Sequence, residues 1–474
     1  MKRKEHPKRT ERTERTEQAK RGKRPEWKAL AALVVLAAAF GSGLALYLHG
    51  TPRAEDVKSP VGEGLTGLRE TTEASPAAYA PLLSWDRDTQ AVVYEIEFAT
   101  APDEADEHRI YATRAVYTNH YNAPLREIAG AYLGKQPIYW RVRSIGFDGQ
   151  AVSRWSKYAA LYTSENEQDY DRPVVFSEYG DGNGTTLLYP VYDWVGIAGA
   201  AGYTVELYVG TAGEAAAGKA TLVDTMRSDV TEIYDQQPRI GTYAWRVRAV
   251  DAAGAYVGEW SSFHEVRAEP SDHWQVAVLG DSISHGGGHY SYSPADFEFS
   301  WLAYLDFPAI NLSSSGDLAS MTRERFERDV LPFHPRYLLI FTGTNSLRAG
   351  VNPDDVIDDL EAMKVLALAH GIRPIFLTLP PINPTNIAHV FDEPTVDDWQ
   401  ERFARVNAYI RRQACIDDAA AFAAPDGVLP TELALDGLHP DVDGKRLIGE
   451  KVNAEWEKAA AAAEKQYQSY IASE

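Results

Sequence analysis

The chain has 474 residues, too many for one hydrophobic core; its composition, 45% hydrophobic and 24% charged, is that of roughly three folded globular units. Its formal charge of -21 is unevenly spread: residues 1–28 hold 12 Lys/Arg against 5 Asp/Glu, leaving 35 against 63 for the remainder, so two environments are implied. Cys415 is the only cysteine, which excludes an intrachain disulfide, a thiolate zinc cluster and a Cys-x-x-Cys redox pair, and it reads as a small buried hydrophobe.

The basic tail of residues 1–28 repeats Arg-Thr-Glu between positions 9 and 17. Interleaved acids suit a disordered, membrane-proximal segment better than a nucleic-acid-binding tail. Residues 29–48 then run 20 positions without a charge, about 30 Å as a helix and enough to cross a bilayer. An uncleaved anchor fits better than a signal peptide, because the apolar core is full length and lacks a small-residue cleavage site. The flank Lys20, Arg21, Lys23, Arg24 and Lys28 keeps the tail cytoplasmic and sends the rest across a cell membrane as a single-pass, extracytoplasmic protein. With no cysteine near this segment, the helix rather than a lipid is the expected anchor. A polar linker, 49–69, follows.

Two internal copies come next. Trp85 precedes Tyr94 as Trp194 precedes Tyr203, by nine residues; Trp140-Arg141-Val142-Arg143 and Trp155-Ser156 recur 105 residues on as Trp245-Arg246-Val247-Arg248 and Trp260-Ser261. Alternation such as Tyr94, Ile96 and Phe98 against Val93, Glu95 and Glu97 is that of half-buried strands. Each copy, 70–164 and 172–268, reads as an all-β sandwich, and the Trp-Arg-Val-Arg, Gly-containing hairpin and Trp-Ser order resembles fibronectin type III modules. The tryptophans suit either a sugar-binding platform or a sandwich core; their strand periodicity favours the core, with the modules as spacers or presenters.

After Pro270 short apolar runs (276–279, 337–341, 374–379) alternate with helical stretches near 320–332, 352–370 and 396–413, the pattern of a parallel sheet flanked by helices. Such folds place their chemistry at the C-terminal strand ends. The first run ends in Gly280-Asp281-Ser282, where a hydroxyl is usefully placed, although an isolated Gly-Asp-Ser is more often a turn or cap. A serine needs a base to accept its proton and a third group to orient that base. Asp436-Gly437-Leu438-His439, before the last helix, supplies both and is the only Asp-x-x-His among 12 histidines. Acyl transfer also needs donors for a developing oxyanion. Gly316, in Ser313-Ser314-Ser315-Gly316-Asp317, and Asn345, in Gly343-Thr344-Asn345, lie at intervening strand ends, where each alone is ordinary loop chemistry.

In the order Ser, Gly, Asn, Asp-x-x-His, the four blocks resemble the SGNH (GDSL) hydrolase family over about 272–460. The resemblance implies a flavodoxin-like catalytic domain over 272–470, with Ser282 as nucleophile and His439 as general base and then acid. It implies Asp436 as the group that orients the imidazole, and the Ser282 N–H, Gly316 and Asn345 as oxyanion hole. Asp281 is expected to be structural, and Thr378-Leu379-Pro380-Pro381 resembles the family's fourth-strand end. Ser313 stands where a further glycine is frequent and Leu318 where a threonine is common, which bears on local loop geometry.

Other chemistries find no support. There is no Gly-x-Ser-x-Gly elbow, no His-Glu-x-x-His, and no Lys-Ser/Thr after Gly286-Gly287-Gly288 to make a phosphate loop. His285 and His289 flank those glycines without a third ligand and read as loop residues, so no metal or cofactor is expected. Of Tyr290, Tyr292, Phe297, Phe299 and Trp301, about half are expected in the core and the rest along an acyl or sugar pocket.

The expected function is an extracytoplasmic serine esterase acting through an acyl-enzyme, a carbohydrate O-acetylesterase on surface or extracellular polysaccharide. The alternatives are a lysophospholipase or thioesterase of the same family, told apart by activity rising with acyl length, and a non-catalytic glycan- or protein-binding surface protein, told apart by a serine that resists acylation.

Overall fold

β-branched and aromatic residues at alternate positions build two antiparallel sandwiches ahead of a parallel sheet. The computed structural model describes residues 62–146, 149–175, 186–288, 293–422 and 424–473, all within one compact unit, Gly50–Glu474. Among these residues no helix is long and apolar enough to cross a membrane. The expected cytoplasmic tail and anchor, 1–48, lie outside them.

In the first sandwich, β1 (Leu82–Ser84) pairs with β4 (His120–Asn122), while β2 (Val93–Ala99), β3 (Arg109–Val116), β5 (Ile138–Ile145) and β6 (Ala159–Leu161) form a sheet in the order β3-β2-β5-β6. The second has β7 (Val174–Val175), β8 (Val191–Val195) and β11 (Glu232–Tyr234) in one sheet. Its other sheet holds β9 (Gly202–Val209), β10 (Thr221–Ser228), β12 (Gly241–Val250), β13 (Tyr256–Val257) and β14 (His264–Ala268). The repeat becomes a repeated contact: Trp85 meets Tyr94 with ring centroids 5.2 Å apart, and Trp194 meets Tyr203 at 5.2 Å. Trp140 and Trp245 are buried beside them. Trp155 and Trp260 have their faces covered by arginines of the neighbouring strand, Arg141 and Arg143 at 4.5 and 4.4 Å and Arg246 at 4.4 Å. The following serines lock the sheet edge, Ser156 and Ser261 each accepting at 3.0 Å from the N–H of Val142 and Val247. The tryptophans therefore fill cores or carry guanidinium groups.

The last part is a five-stranded parallel sheet, β15 (Val276–Gly280), β16 (Ile310–Asn311), β17 (Tyr337–Phe341), β18 (Arg373–Leu377) and β19 (Cys415–Ile416), ordered β16-β15-β17-β18-β19. Counted from its own first strand this is 2-1-3-4-5, the doubly wound order in which ligands bind at the switch beside the first strand. The helices are α1 (Ser282–His285), α2 (Ala319–Glu324), α3 (Phe326–Val330), α4 (Thr344–Arg348), α5 (Pro353–Ala369), α6 (Pro384–Phe391), α7 (Trp399–Ile410) and α8 (Val442–Ile471). Cys415 is half-buried at the edge of this core, less enclosed than expected. The Thr378 hydroxyl donates to Asp417 at 2.9 Å, and the Asn407 amide grips both backbone groups of Leu379, so this strand end is a structural joint.

The sandwiches do not stand apart as spacers. Residues 186–188 continue the parallel sheet: Asn311 N–H donates to Thr186 O at 3.0 Å, and Leu188 N–H to Asn311 O at 2.9 Å. Leu188 and Tyr189 lie in the core of the parallel-sheet domain. From the first sandwich, Arg87 pairs with Asp296 at 2.7 Å and Glu298 at 2.8 Å, and Val92, Val93 and Ile145 enclose Leu435. Burial of apolar surface at these contacts stabilises all three parts together.

Candidate active site

Ser282 is the first residue of α1, directly after β15, and Asp281 caps that turn by accepting from the Ile283 N–H at 3.1 Å. Burial pushes the Asp281 carboxyl up to about 7, with Asp317 adding to the rise and His439 and Lys445 opposing it. Asp281 thus holds the turn. Beneath α1 the buried Lys445 ammonium donates to Ile283 O at 2.7 Å; burial lowers its pKa to about 8, against the pull of Asp441, Asp436 and Asp281.

The Asp436–His439 loop arrives from the far end of the sequence, between Thr431–Leu433 and α8. It turns at Gly437, whose φ is +78 and where a Cβ would lie 2.5 Å from Asn383 O, so only glycine fits. His439 Nε2 lies 2.9 Å from Ser282 Oγ, and His439 Nδ1 lies 2.7 Å from Asp436 Oδ2. The other oxygen, Oδ1, accepts from the backbone N–H groups of Leu438 and His439, both at 2.7 Å. Burial alone would raise the Asp436 carboxyl, but the His439 charge and these hydrogen bonds outweigh it and hold the group below its ordinary value. A carboxylate only accepts, so the ring proton belongs on Nδ1 and the Nε2 lone pair faces the hydroxyl. Phe391 packs edge-on against the imidazole at 6.0 Å.

Of the two other expected residues, Gly316 lies on a loop held against the end of β15 and Asn345 in the first turn of α4. Gly316 has φ +85, and the residues around it are each tied: Ser314 N–H to Gly280 O at 3.1 Å, Ser315 Oγ to His285 Nδ1 at 2.8 Å, and Asp317 Oδ2 to Arg325 Nε at 2.6 Å. Asn345, buried at the start of α4, donates from Nδ2 to Asp317 O at 3.1 Å. Its Oδ1 accepts from Arg348 Nε at 3.3 Å. Because a guanidinium has no acceptor, this contact sets the amide so that its N–H groups face the Gly316 loop. Arg348 is held in turn by Glu393 at 2.8 Å.

Residues that pattern reading missed form this scaffold. Arg325, 7% exposed, donates to Asp317, to Gly280 O at 2.9 Å and to Asp329 at 3.0 Å, which joins the ends of β15 and β16. His285, expected in a loop, closes α1 and is 2% exposed, with Nε2 2.7 Å from Tyr189 O. Its place three residues from Ser282 on the same helical turn was the available signal. His289, Tyr290 and Tyr292 lie outside the described residues. Phe299 and Trp301 are fully buried core residues, and Phe297 is half-buried. Ser313 is buried under the loop, and Leu318 precedes α2 as its half-buried cap. Among the described residues no group of three His, Cys, Asp or Glu could hold a metal ion.

A hydroxyl, an imidazole and a carboxylate bonded in series at the switch point of a doubly wound parallel sheet mark the class of hydrolases that act on acyl groups. Residues 278–447 match the GDSL-like lipase/acylhydrolase family, and the C-terminal part of the chain is a domain of that ester-hydrolysing family. No curated protein matches the chain. Similar solved structures include a lipase/acylhydrolase from Enterococcus faecalis, 22% identical, covering 38% of this chain and 94% of its own, with TM-score 0.31. A GDSL-like lipase from Bacteroides thetaiotaomicron is 21% identical over 40% of this chain and 90% of its own, at TM-score 0.31. A catalytic mutant of an acetylxylan esterase from Geobacillus stearothermophilus is 18% identical over 38% and 92%, also at 0.31.

Proposed function

We propose that this protein is a serine esterase that works through an acyl-enzyme and removes acetyl groups from polysaccharide on the outer side of a cell membrane. The observation that carries the chemistry is the series Ser282 Oγ, His439 Nε2 and Nδ1, Asp436 Oδ2, with steps of 2.9 and 2.7 Å. Ser282 Oγ attacks the ester carbonyl carbon while its proton passes to His439 Nε2. The N–H groups of Ser282, Gly316 and Asn345 stabilise the oxyanion, and Asp436 stabilises the imidazolium. Collapse expels the sugar alkoxide, which takes the proton from His439 and leaves an acetyl ester on Ser282. Water then repeats the cycle, releasing acetate and free Ser282. No metal or cofactor enters. The location rests on the basic flank and apolar run of residues 1–48, and the fibronectin type III-like reading of the two β modules on their Trp-Arg-Val-Arg repeats and two-sheet packing.

The test is acetate release by the full-length chain from a panel of acetylated glycans, and hydrolysis of 4-nitrophenyl esters of increasing chain length, with Ser282→Ala as blank. Release above the blank from a glycan, with turnover falling beyond acetyl, is expected. Turnover rising steeply with acyl length assigns a lysophospholipase or thioesterase instead, and no difference from the blank overturns the esterase reading.

A further inference from the structure

We propose that His285 is a positioning residue that ties the second β module to the oxyanion loop, so that this module is a working part of the active site. The inference rests on the esterase reading above.

The tie has three parts. The first is an anchored backbone. Tyr189 is 3% exposed, and its hydroxyl donates to Asp329 Oδ2 at 2.5 Å and accepts from Arg328 at 2.5 Å. The Arg325 guanidinium lies over its ring at 5.4 Å, and the preceding Thr186 and Leu188 share backbone hydrogen bonds with Asn311 of β16. Its carbonyl is therefore fixed against the catalytic sheet.

The second part is the histidine. A carbonyl oxygen only accepts, so the contact of His285 Nε2 with Tyr189 O, 2.7 Å, places the ring proton on Nε2. Burial lowers the pKa of this imidazole to about 4, with Arg325 and Lys445 lowering it further and the Tyr189 bond opposing them, so the ring is neutral near pH 7. Nδ1 is then an acceptor. The Asn311 amide fixes the backbone under the ring, donating to Ser284 O at 2.7 Å and His285 O at 3.1 Å. Tyr234 of β11, also from the second module, packs edge-on against the ring at 6.0 Å.

The third part is the loop. With Nδ1 a pure acceptor, the Ser315 hydroxyl must donate to it, over 2.8 Å, which fixes the residue directly before Gly316. The Gly316 N–H is aimed by the peptide between the two residues, and at φ +85 glycine itself offers little resistance to rotation. Ser315 on one side and the Asp317–Arg325 pair on the other supply the rigidity that glycine lacks. Donors that are already aimed stabilise the transition state without reorganising, so loosening them lowers kcat and leaves ground-state binding intact.

The experiment compares Ser315→Ala, Ser315→Thr, His285→Gln and the double variant Ser315→Ala/His285→Gln with the unaltered full-length chain on 4-nitrophenyl acetate. Ser315→Ala is expected to lower kcat about tenfold, with KM within twofold and the melting temperature unchanged, the scale of a weakened oxyanion donor. Ser315→Thr, which keeps the hydroxyl, is expected to restore kcat. The double variant is expected to be no slower than His285→Gln alone, because both changes cut one connection. A kcat for Ser315→Ala equal to that of the unaltered protein overturns the proposal, as does a loss that threonine does not restore or a double variant whose losses multiply. Ser282→Ala separates the two levels: if it is inactive while Ser315→Ala is unimpaired, only the positioning role fails, and if it turns over normally the esterase reading fails first.

Discussion

Asp436→Asn is expected to lower kcat by roughly ten-thousand-fold with KM little changed, the scale of loss when a triad aspartate is neutralised with its geometry kept. Asp436 can only accept from His439 Nδ1, which forces the Nε2 lone pair toward Ser282. An asparagine at the same place can present its own N–H to Nδ1, move the ring proton to Nε2 and leave the hydroxyl with no base. Two further bonds to Asp436, from the backbone of Leu438 and His439, hold the side chain still, so the replacement keeps its place and changes only the proton arrangement. Steady-state kinetics on 4-nitrophenyl acetate check this; a variant within tenfold of the unaltered protein would remove Asp436 from the mechanism. Stability carries a matching sign. The Asp436 carboxyl is held below its unfolded value, so its contribution to folding is complete above the ordinary carboxylate range and is lost as the pH falls below it.

Arg325→Met is expected to destabilise the protein by about 3–5 kcal/mol, because it removes the positive partner of carboxylates that stay buried. Asp317 and Asp329 are 4% and 0% exposed, and burial already holds the Asp317 carboxyl above its usual range despite the arginine. The same side chain supports Gly280 O at the end of β15, directly before the nucleophile turn, so esterase activity falls together with stability. At about 1 °C per kcal/mol for a cooperative unit of roughly 400 residues, the melting temperature drops by roughly 4 °C. Differential scanning calorimetry measures it, and a shift under 2 °C would mean that the buried triad of charges is held by something other than Arg325.

The residues of the site that were legible in the sequence are those whose chemistry leaves a local pattern. Gly280-Asp281-Ser282, Asn345 and the Asp436-to-His439 spacing each follow or precede an element recognisable by its period, and the structure brings Ser282, His439 and Asp436 into contact. The tryptophan repeats were legible for the same reason, since a strand period and a fixed offset reproduce one ring contact in each copy. Contacts with no period were not legible. Tyr189 meets His285 across 96 positions and Asp329 across 140, and nothing local marks Leu187 as a bridge onto Asn311 of a sheet that begins at Val276. Strand-like stretches between modules look alike whether they point to solvent or complete another domain's edge. His285 was judged by its glycine neighbours, and its burial under a distant module reversed that judgement.

Labelling with a fluorophosphonate asks whether Ser282 carries the activated hydroxyl proposed for this chain. Intact mass and peptide mapping are expected to show one adduct, on Ser282, formed rapidly in the folded protein and lost in His439→Ala. A folded protein that stays unlabelled, or an adduct on another residue, would overturn the assignment of Ser282 as nucleophile.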